Sequence, residues 1–277
     1  QIDEDNTIHG DITINRGAFL LISQSANLFW QTAAESTINF ENPFPQNSQN
    51  QITGPRVVVQ GTMNVNGGLV RMRSDTTLRA DPNFSGQGVA RATVNMNPQG
   101  ILRFDNDADI EEAVITGGGT IRIRQEDINV ATFSAPVDVD VDRFETELGG
   151  TAIVNGSNIR VGTVALNSGS LTLDGAARFA VSDVGNAPAP GFYVGLAGNP
   201  GTVTIDGGAT LDAVDATIAT GGNVSIIDGT FSSTNTVAMT GGQLGGAGNV
   251  VADINNTGGT VAPGGSPGAL NQTRGYT

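Results

Sequence analysis

Short stretches of alternating apolar and polar residues recur along the whole chain, and most of them begin and end at glycine. The pattern is Gly-x-apolar-x-apolar-(Asn/Asp)-x-Gly, and its clearest copies lie at 10–17, 61–68 and 201–208. Alternation with a period of two residues predicts a strand with one buried and one solvated face. Glycine tolerates positive φ and an Asn or Asp side chain bonds nearby backbone, so both favour tight turns. Each copy therefore predicts one short strand followed by a turn.

The spacing of this unit predicts how the strands are arranged. Strands this short cannot form a core of their own, but coils stacked about 4.8 Å apart can bury a continuous one. Most successive copies are about 20 residues apart, and we interpret the two longer steps, from Gly119 to Gly150 and from Gly169 to Gly201, as one coil with an inserted loop. The copies start at Gly100, Gly119, Gly150, Gly169, Gly201, Gly222, Gly242 and Gly259. They predict an all-β fold, a right-handed parallel β-helix (β-solenoid) with coils of about 20 residues. A β-sandwich is the main alternative, because it also consists of short strands and turns.

The repeats indicate a single β-solenoid over residues 1–277, without separate domains. The pattern is irregular in the N-terminal third, 1–100, and regular over 100–270. Two segments lack clear alternation and are rich in proline or in Gln and Asn, which is typical of loops. They predict loop insertions at 41–58 and 183–200.

Charge and composition exclude several classes of function. The chain has 27 acidic and 13 basic residues, giving a net charge of −14, and every basic residue is arginine. Such a surface repels DNA, RNA and anionic membranes. Cysteine is absent and His9 is the only histidine, which excludes zinc, iron–sulfur and haem sites built from clusters of these residues. No apolar run approaches the roughly 20 residues of a membrane-spanning helix, so membrane insertion is not expected.

One segment near the C-terminus carries a recognisable motif. Residues 258–270 have the sequence GGTVAPGGSPGAL. They resemble the GGTVAPG-S-PG-L segment of autotransporter-associated β-helix repeats, and the unit that begins at Gly10 is similar to the repeats that precede that segment. The resemblance implies an exported bacterial surface protein or passenger with a right-handed β-helix, often adhesive or matrix-forming. Because the chain opens at Gln1 without a signal peptide, we expect a mature, secreted form.

A run of alternating acidic residues at 105–109 is the candidate metal site. Asp105, Asp107 and Asp109 have the close spacing of calcium ligands, and Ca²⁺ prefers carboxylate oxygens. The glycine and the final glutamate of an EF-hand loop are missing, so the prediction is a looser calcium site formed by these three side chains. A solvated acidic turn is the alternative.

A second acidic run alternates with valines over 137–142. The alternation predicts that Asp138, Asp140 and Asp142 project from one strand face while the valines point inward. Three like charges in a row cost stability unless a cation or an arginine lies near, and Arg143 is adjacent only in sequence. We interpret the run as an exposed, solvated face.

The sequence does not favour an enzyme. Pairs of carboxylates hydrolyse glycosides, but acids are so frequent here that finding pairs carries little information. Clefts that process sugars usually use aromatic platforms, and beside its phenylalanines the chain has only Trp30, Tyr193 and Tyr276. His9 lies within an alternating strand pattern and is predicted to be a surface or edge side chain rather than part of a catalytic triad. No catalytic or cofactor-binding residue is predicted.

These observations leave three hypotheses for the function. The first is an extracellular or cell-surface structural protein that associates with itself, end to end or laterally, into a filament, sheath or layer. The second is an adhesin-type passenger that binds glycans or matrix surfaces through the insertions at 41–58 and 183–200. The third is a polysaccharide lyase or hydrolase. The expected partner is therefore a second copy of the chain, with glycans as the alternative. No cofactor is expected, and calcium is the one alternative.

Overall fold

The structure is a computed structural model, and it describes residues 6–8, 12–14, 21–22, 29–32, 37–40, 49–52, 56–59, 62–65, 68–72, 75–80, 91–125, 130–183, 191–264 and 269–277. Strands make up 73% of the structure and helix 1%. The strands are β1 Asn6–Ile8, β2 Ile12–Ile14, β3 Leu21–Ile22, β4 Phe29–Thr32, β5 Thr37–Phe40, β6 Gln49–Ile52, β7 Arg56–Val59, β8 Thr62–Val65, β9 Gly68–Met72, β10 Asp75–Leu78, β11 Ala92–Met96, β12 Gly100–Phe104, β13 Ala108–Glu111, β14 Ala113–Arg124, β15 Val130–Ser134, β16 Asp138–Asn155, β17 Asn158–Asp174, β18 Arg178–Val181, β19 Gly191–Val194, β20 Gly201–Ile205, β21 Ala209–Ala213, β22 Ala216–Ile218, β23 Gly222–Ile226, β24 Gly229–Met239, β25 Gln243–Gly246, β26 Asn249–Asn256, β27 Thr260–Pro263 and β28 Asn271–Gln272. One short 3₁₀ turn, Leu196–Gly198, lies between β19 and β20.

The strands pair in parallel with their equivalents one coil further along, so the chain winds into a β-solenoid with coils of about 21 residues. The pairings form three stacks, which we call faces 1, 2 and 3. Face 1 contains β1, β4, β7, β10, β13, β15, residues 151–155 of β16, residues 170–174 of β17, β20, β23, β25 and β27. Face 2 contains β2, β5, β8, β11, residues 113–117, 138–141 and 158–161, β18, β21, residues 229–233 and 249–251, and β28. Face 3 contains β3, β6, β9, β12, residues 120–124, 143–147 and 163–167, β19, β22, and residues 236–239 and 253–256.

Alternation in the sequence is the reason that these strands bury one side only. Val137, Val139 and Val141 are buried, whereas Asp138 is exposed and Asp140 is half-buried. The same alternation continues through corners, so that β16 and β17 each contribute residues to all three faces. The predicted β-solenoid is therefore confirmed, and the β-sandwich is excluded because the strand pairing is parallel.

The interior of the solenoid is a continuous apolar column that includes six fully buried phenylalanines. Phe133, Phe144 and Phe179 come from different coils and stack on one another, with ring centroids 6.0 Å and 5.7 Å apart. The second of these contacts is edge-to-face, with an interplanar angle of 89°, which is a favourable geometry for aromatic pairs. Phe192 and Phe231 form a further pair at 6.1 Å. Each coil is thus held by residues of its neighbours, as expected for a repeat protein.

The two predicted insertions hold regular structure where the chain is described. The segment 41–58 contains β6 and most of β7, and 183–200 contains β19 and the 3₁₀ turn. Residues 41–48, 53–55 and 184–190 lie outside the described residues. In the described part of the chain, no helix has the length and hydropathy needed to span a lipid bilayer.

Gly117 marks a corner at which only glycine fits. Its φ is +117°, in a region that L side chains rarely adopt, and a Cβ there would collide with the carbonyl oxygen of Met96 in the preceding coil. Gly208 has a positive φ of +75° as well, but a Cβ there would meet nothing within 4 Å. Substitution at Gly208 therefore measures the cost of backbone strain alone, whereas substitution at Gly117 adds a steric clash between coils.

We expect Gly117→Ala to lower the free energy of unfolding by about 2–3 kcal/mol, because strain and clash add. Gly208→Ala should cost only about 1 kcal/mol, because the strain acts alone. Denaturant titration followed by circular dichroism measures both. Equal costs at the two positions would show that the coils do not approach as closely at Gly117 as the structure indicates.

Candidate functional site

The two central outward-facing columns of face 1 carry no charge over seven successive strands, from β15 to β27. Hydroxyl and amide groups dominate, and the remaining side chains are aliphatic. Acids border these columns: Asp109 of β13 lies beside Thr132 at one end, and Asp174 and Asp206 lie at the corner where their strands end. We call these two columns the uncharged face. It consists of Val130, Thr132, Thr151, Ile153, Ser170, Thr172, Thr202, Thr204, Asn223, Ser225, Gln243, Thr260 and Ala262, all exposed or half-exposed.

The uncharged face is regular because the coils stack in register. Thr172 of one coil lies beside Thr204 of the next, and Thr204 beside Ser225 of the coil after that. Ser170 donates a hydrogen bond from Oγ to Oγ1 of Thr151, 3.0 Å away. Side chains therefore repeat about every 4.8 Å across the coils and about every 7 Å along each strand. The result is a flat surface whose hydroxyl groups both donate and accept hydrogen bonds.

The dimensions of the uncharged face follow from the strand geometry. Seven strands at a spacing of about 4.8 Å span about 29 Å, and the width of one strand segment along the chain is about 13 Å. The flat area is therefore roughly 400 Å², about half of what each partner buries in a standard protein–protein interface.

Face 2 carries a groove of about 350 Å³ in which acidic and basic side chains lie close together. Its walls come from four consecutive coils, the first of which contributes Thr116. Asp138, Asn158 and Arg178 form one column of outward positions, and Asp140, Arg160 and Ala180 form the next. The groove is lined by Thr116, Asp138, Val139, Asp140, Asn158, Ile159, Arg160, Arg178 and Ala180.

The charged groups of the groove are incompletely paired. Asp138 forms an ion pair of 2.6 Å with Arg91, and both side chains are well exposed. Arg160 lies 3.7 Å from Asp140, and its Nε and Nη2 donate to the Ser182 hydroxyl and a backbone carbonyl. The Oδ1 atom of Asp140 is buried without a hydrogen-bond donor. The guanidinium group of Arg178 has no ion pair or hydrogen bond among the described residues, although its backbone amide is bonded.

Face 3 carries two buried carboxylates, and each of them is held by arginines. Asp105 contacts Arg71 at 2.8 Å and Arg103 at 2.7 Å, with its own side chain only 1% exposed. One coil beyond Arg122, Glu145 contacts both Arg122, at 2.6 Å, and Arg143. Arg71, Arg103 and Arg122 occupy the same outward column on successive coils. We call this set the arginine ladder.

Burying the positive charges of the arginine ladder is unfavourable, and the neighbouring carboxylates offset this cost. Burial lowers the pKa of the Arg103 guanidinium, and the positive charges of Arg71 and Arg124 lower it further. The hydrogen bond and the charge of Asp105 oppose this shift. Asp105 therefore stabilises a buried cluster of positive charge, which is a structural role.

The predicted calcium ligands lie in three different environments. Asp105 is bound to Arg71 and Arg103, and Asp107 accepts a hydrogen bond of 2.8 Å from the Val130 amide. Asp109 is exposed on face 1. Among the described residues, no three Asp, Glu, His or Cys side chains are grouped so that they could hold a metal ion. Calcium binding at these residues stays a prediction, and it would require Asp105 to leave its arginines.

The three acids predicted to project from one strand face do not all lie on the same face. Asp138 and Asp140 project from face 2, whereas Asp142 follows at the corner before face 3. Arginines do lie near, but they come from other coils, as Arg91 and Arg160. Sequence reasoning missed these arginines and Arg178. The signal was present, since residues 140 and 160, like 158 and 178, are separated by one coil of regular length.

The histidine and the aromatic residues considered from the sequence do not form a further site among the described residues. His9 lies outside the described residues, and of Trp30 only the strand position is described. Tyr193 and Tyr276 both belong to face 3, but several coils separate them, so they do not form one platform. That the chain is not an enzyme stays a prediction.

Comparison with known proteins does not place the chain in a family: no family model matches it, and neither a curated protein nor a solved structure shows a significant match.

Proposed function

We propose that the chain is a structural protein of the cell surface that associates laterally with copies of itself, through the uncharged face, into a layer or bundle. The observation that carries this proposal is the lack of charge on the uncharged face in a chain with a net charge of −14. A layer made of such units would use the solenoid as a rigid rod and its flat side as the contact.

Electrostatics favours this face over the others for contact between two copies. Two molecules of net charge −14 repel each other, and burying an unpaired charge between them costs several kcal/mol. Face 2 would bring Asp138, Asp140 and Asp212 into such a contact, and face 3 would bring the exposed Arg143 and Asp253. The uncharged face brings none.

The chemistry of the uncharged face also suits a contact with itself. Threonine and serine hydroxyls each donate and accept, so two copies of one surface can satisfy each other across a two-fold axis. With roughly 400 Å² per partner, one contact is weak. Repetition along an extended assembly strengthens such contacts without any new chemistry. A two-fold contact joins two copies, so we expect a weak dimer whose population rises with concentration, and a layer forms when such dimers also associate end to end.

The cell-surface location rests on the sequence. Residues 258–270 resemble the autotransporter-associated segment, and the lack of cysteine suits an oxidising compartment, where a free thiol is a liability. Secretion is part of the proposal, and fractionation of producing cells followed by immunodetection of the chain tests it.

We expect Thr204→Asp to weaken self-association by about tenfold or more, because facing copies would bury like charges at the centre of the contact. Sedimentation velocity over a series of concentrations measures the effect. Added salt should strengthen association of the unaltered chain, since it screens the repulsion between the other faces.

The matched control is Thr217→Asp, which makes the same change at a half-exposed outward position on face 3. Both variants add one acid to the interior of a strand, so they carry the same change in net charge and strand propensity. Only Thr204→Asp should weaken association. Equal effects of the two variants, or an unaltered chain that stays monomeric at every concentration and salt, would overturn the proposal.

A further inference from the structure

The groove on face 2 has a different chemistry from the uncharged face, and self-association does not account for it. We propose that it binds a carboxylated sugar, a uronic acid residue of an acidic glycan. The carboxylate of the sugar binds Arg178 with support from Arg160, and the sugar hydroxyls donate to Asp140 and Asn158.

Arg178 is the group that selects a carboxylate. Arg178 lines the groove, and its guanidinium has no ion pair or hydrogen bond among the described residues. A guanidinium offers two parallel N–H groups that match the two oxygens of a carboxylate, and such pairs are among the stronger polar contacts. Arg160 lies on the next strand column one coil away, and its contact with Asp140 is long, at 3.7 Å. Two arginines thus border the same space with unused donor capacity.

Asp140 is the hydrogen-bond acceptor for a hydroxyl group of the ligand. Its Oδ1 atom is buried without a hydrogen bond, whereas the side chain as a whole is 44% exposed. The outer oxygen, Oδ2, which lies 3.7 Å from Arg160, is therefore the atom that a ligand hydroxyl reaches. Asp138 and the Asn158 side chain border the groove on the same side. A ligand with one carboxylate and several neighbouring hydroxyls satisfies both walls, and uronic acids have this composition. Phosphate monoesters fit less well, because Asp138 and Asp140 repel a dianion more strongly than a monoanion.

The short side chain of Ala180 leaves room for the groove. It occupies the outward position between Arg160 and Asp212, where its neighbours have longer side chains. The short side chain leaves the groove of about 350 Å³, which lies within the range of small-molecule sites. Because Ala180 is half-exposed, a larger residue there fills the groove without entering the core.

Calorimetric titration of the whole chain with digalacturonate, at concentrations where the chain is monomeric, tests the inference. We expect saturable binding that is absent with the neutral digalactoside and that weakens as salt is added. Arg178→Gln should reduce the affinity about tenfold, the value of one charged hydrogen-bonded contact. Ala180→Gln should reduce it similarly by filling the space without changing the charge.

The control is Arg274→Gln, which removes the same charge from an arginine outside the groove that bonds the carbonyls of Ser233 and Thr234. Its affinity for digalacturonate should be unchanged. Lack of binding to digalacturonate, or equal loss in all three variants, would overturn the inference. A dipeptide of aspartate that binds as tightly as the sugar would also overturn it, because the hydroxyls would then contribute nothing. The groove and the uncharged face share no residue, so either proposal can fail without the other.

Discussion

Replacing Asp105 with alanine should lower the free energy of unfolding by about 3–5 kcal/mol, the usual cost of breaking a buried ion pair from one side. The carboxylate is 1% exposed and contacts Arg103, itself 7% exposed, and Arg71, 12% exposed. Without it, two largely buried guanidinium groups on neighbouring coils lose the carboxylate that contacts both of them. Guanidinium groups do not lose their charge at accessible pH, so the repulsion cannot be relieved by deprotonation. Denaturant unfolding monitored by circular dichroism measures the loss.

Asp138→Ala is the matched control, since Asp138 also forms a short ion pair with an arginine. In that pair Arg91 is 34% exposed and Asp138 52%, so we expect a change of about 0–1 kcal/mol. Asp105→Asn should fall between the two, because the amide oxygen still accepts a hydrogen bond while the charge is lost. If Asp105→Ala cost no more than Asp138→Ala, the ladder would have to be hydrated and its burial wrong.

The burial pattern within each strand could be predicted from the sequence because it depends on local geometry alone. Successive side chains of a strand point to opposite sides, so the alternation at 137–141 is enough to place the valines inside. The recurring glycines likewise predict the coil, and the step from Gly169 to Gly201 is a single long coil, because the two glycines lie in register. These features need no information about which coil lies beside which.

The step from Gly119 to Gly150 shows where the pattern misleads. Its length suggests a single coil with an inserted loop, and this interpretation is wrong. Gly119 precedes a strand of face 3, whereas Gly150 begins a strand of face 1 that pairs with the strand after Gly169. The same sequence unit is used at different corners, because any corner between two strands favours glycine. Periodicity therefore predicts the coil length but not the face on which each unit lies.

The candidate sites were harder to predict because their partners come from other coils. Arg160 and Asp140 are separated by one coil of regular length, so the repeat length alone could have predicted that they lie side by side. Arg71 and Asp105 are 34 residues apart, because the coil between them is longer than the average. Asp105 and Asp107 have the local spacing of calcium ligands, whereas the structure places two arginines against the first of them.

Replacing Phe144 with alanine should lower the free energy of unfolding by about 3–5 kcal/mol, from lost burial and the cavity that remains. Phe144 is fully buried and is the central ring of three, in contact with Phe133 and Phe179. Truncation therefore removes both aromatic contacts at once and leaves the rings of two other coils without a neighbour. Thermal and denaturant unfolding measure the loss.

Ile153→Ala is the control, because Ile153 points outward on the uncharged face and its truncation leaves no internal cavity. We expect a change within about 0.5 kcal/mol, as for other surface substitutions. Phe144→Leu should cost less than alanine, since leucine fills most of the volume. In a solenoid each coil is supported only by its neighbours, so the loss should also broaden the unfolding transition as coils on the two sides of residue 144 uncouple. A sharp transition at an unchanged midpoint would contradict this, because it would mean that the aromatic column does not couple the coils.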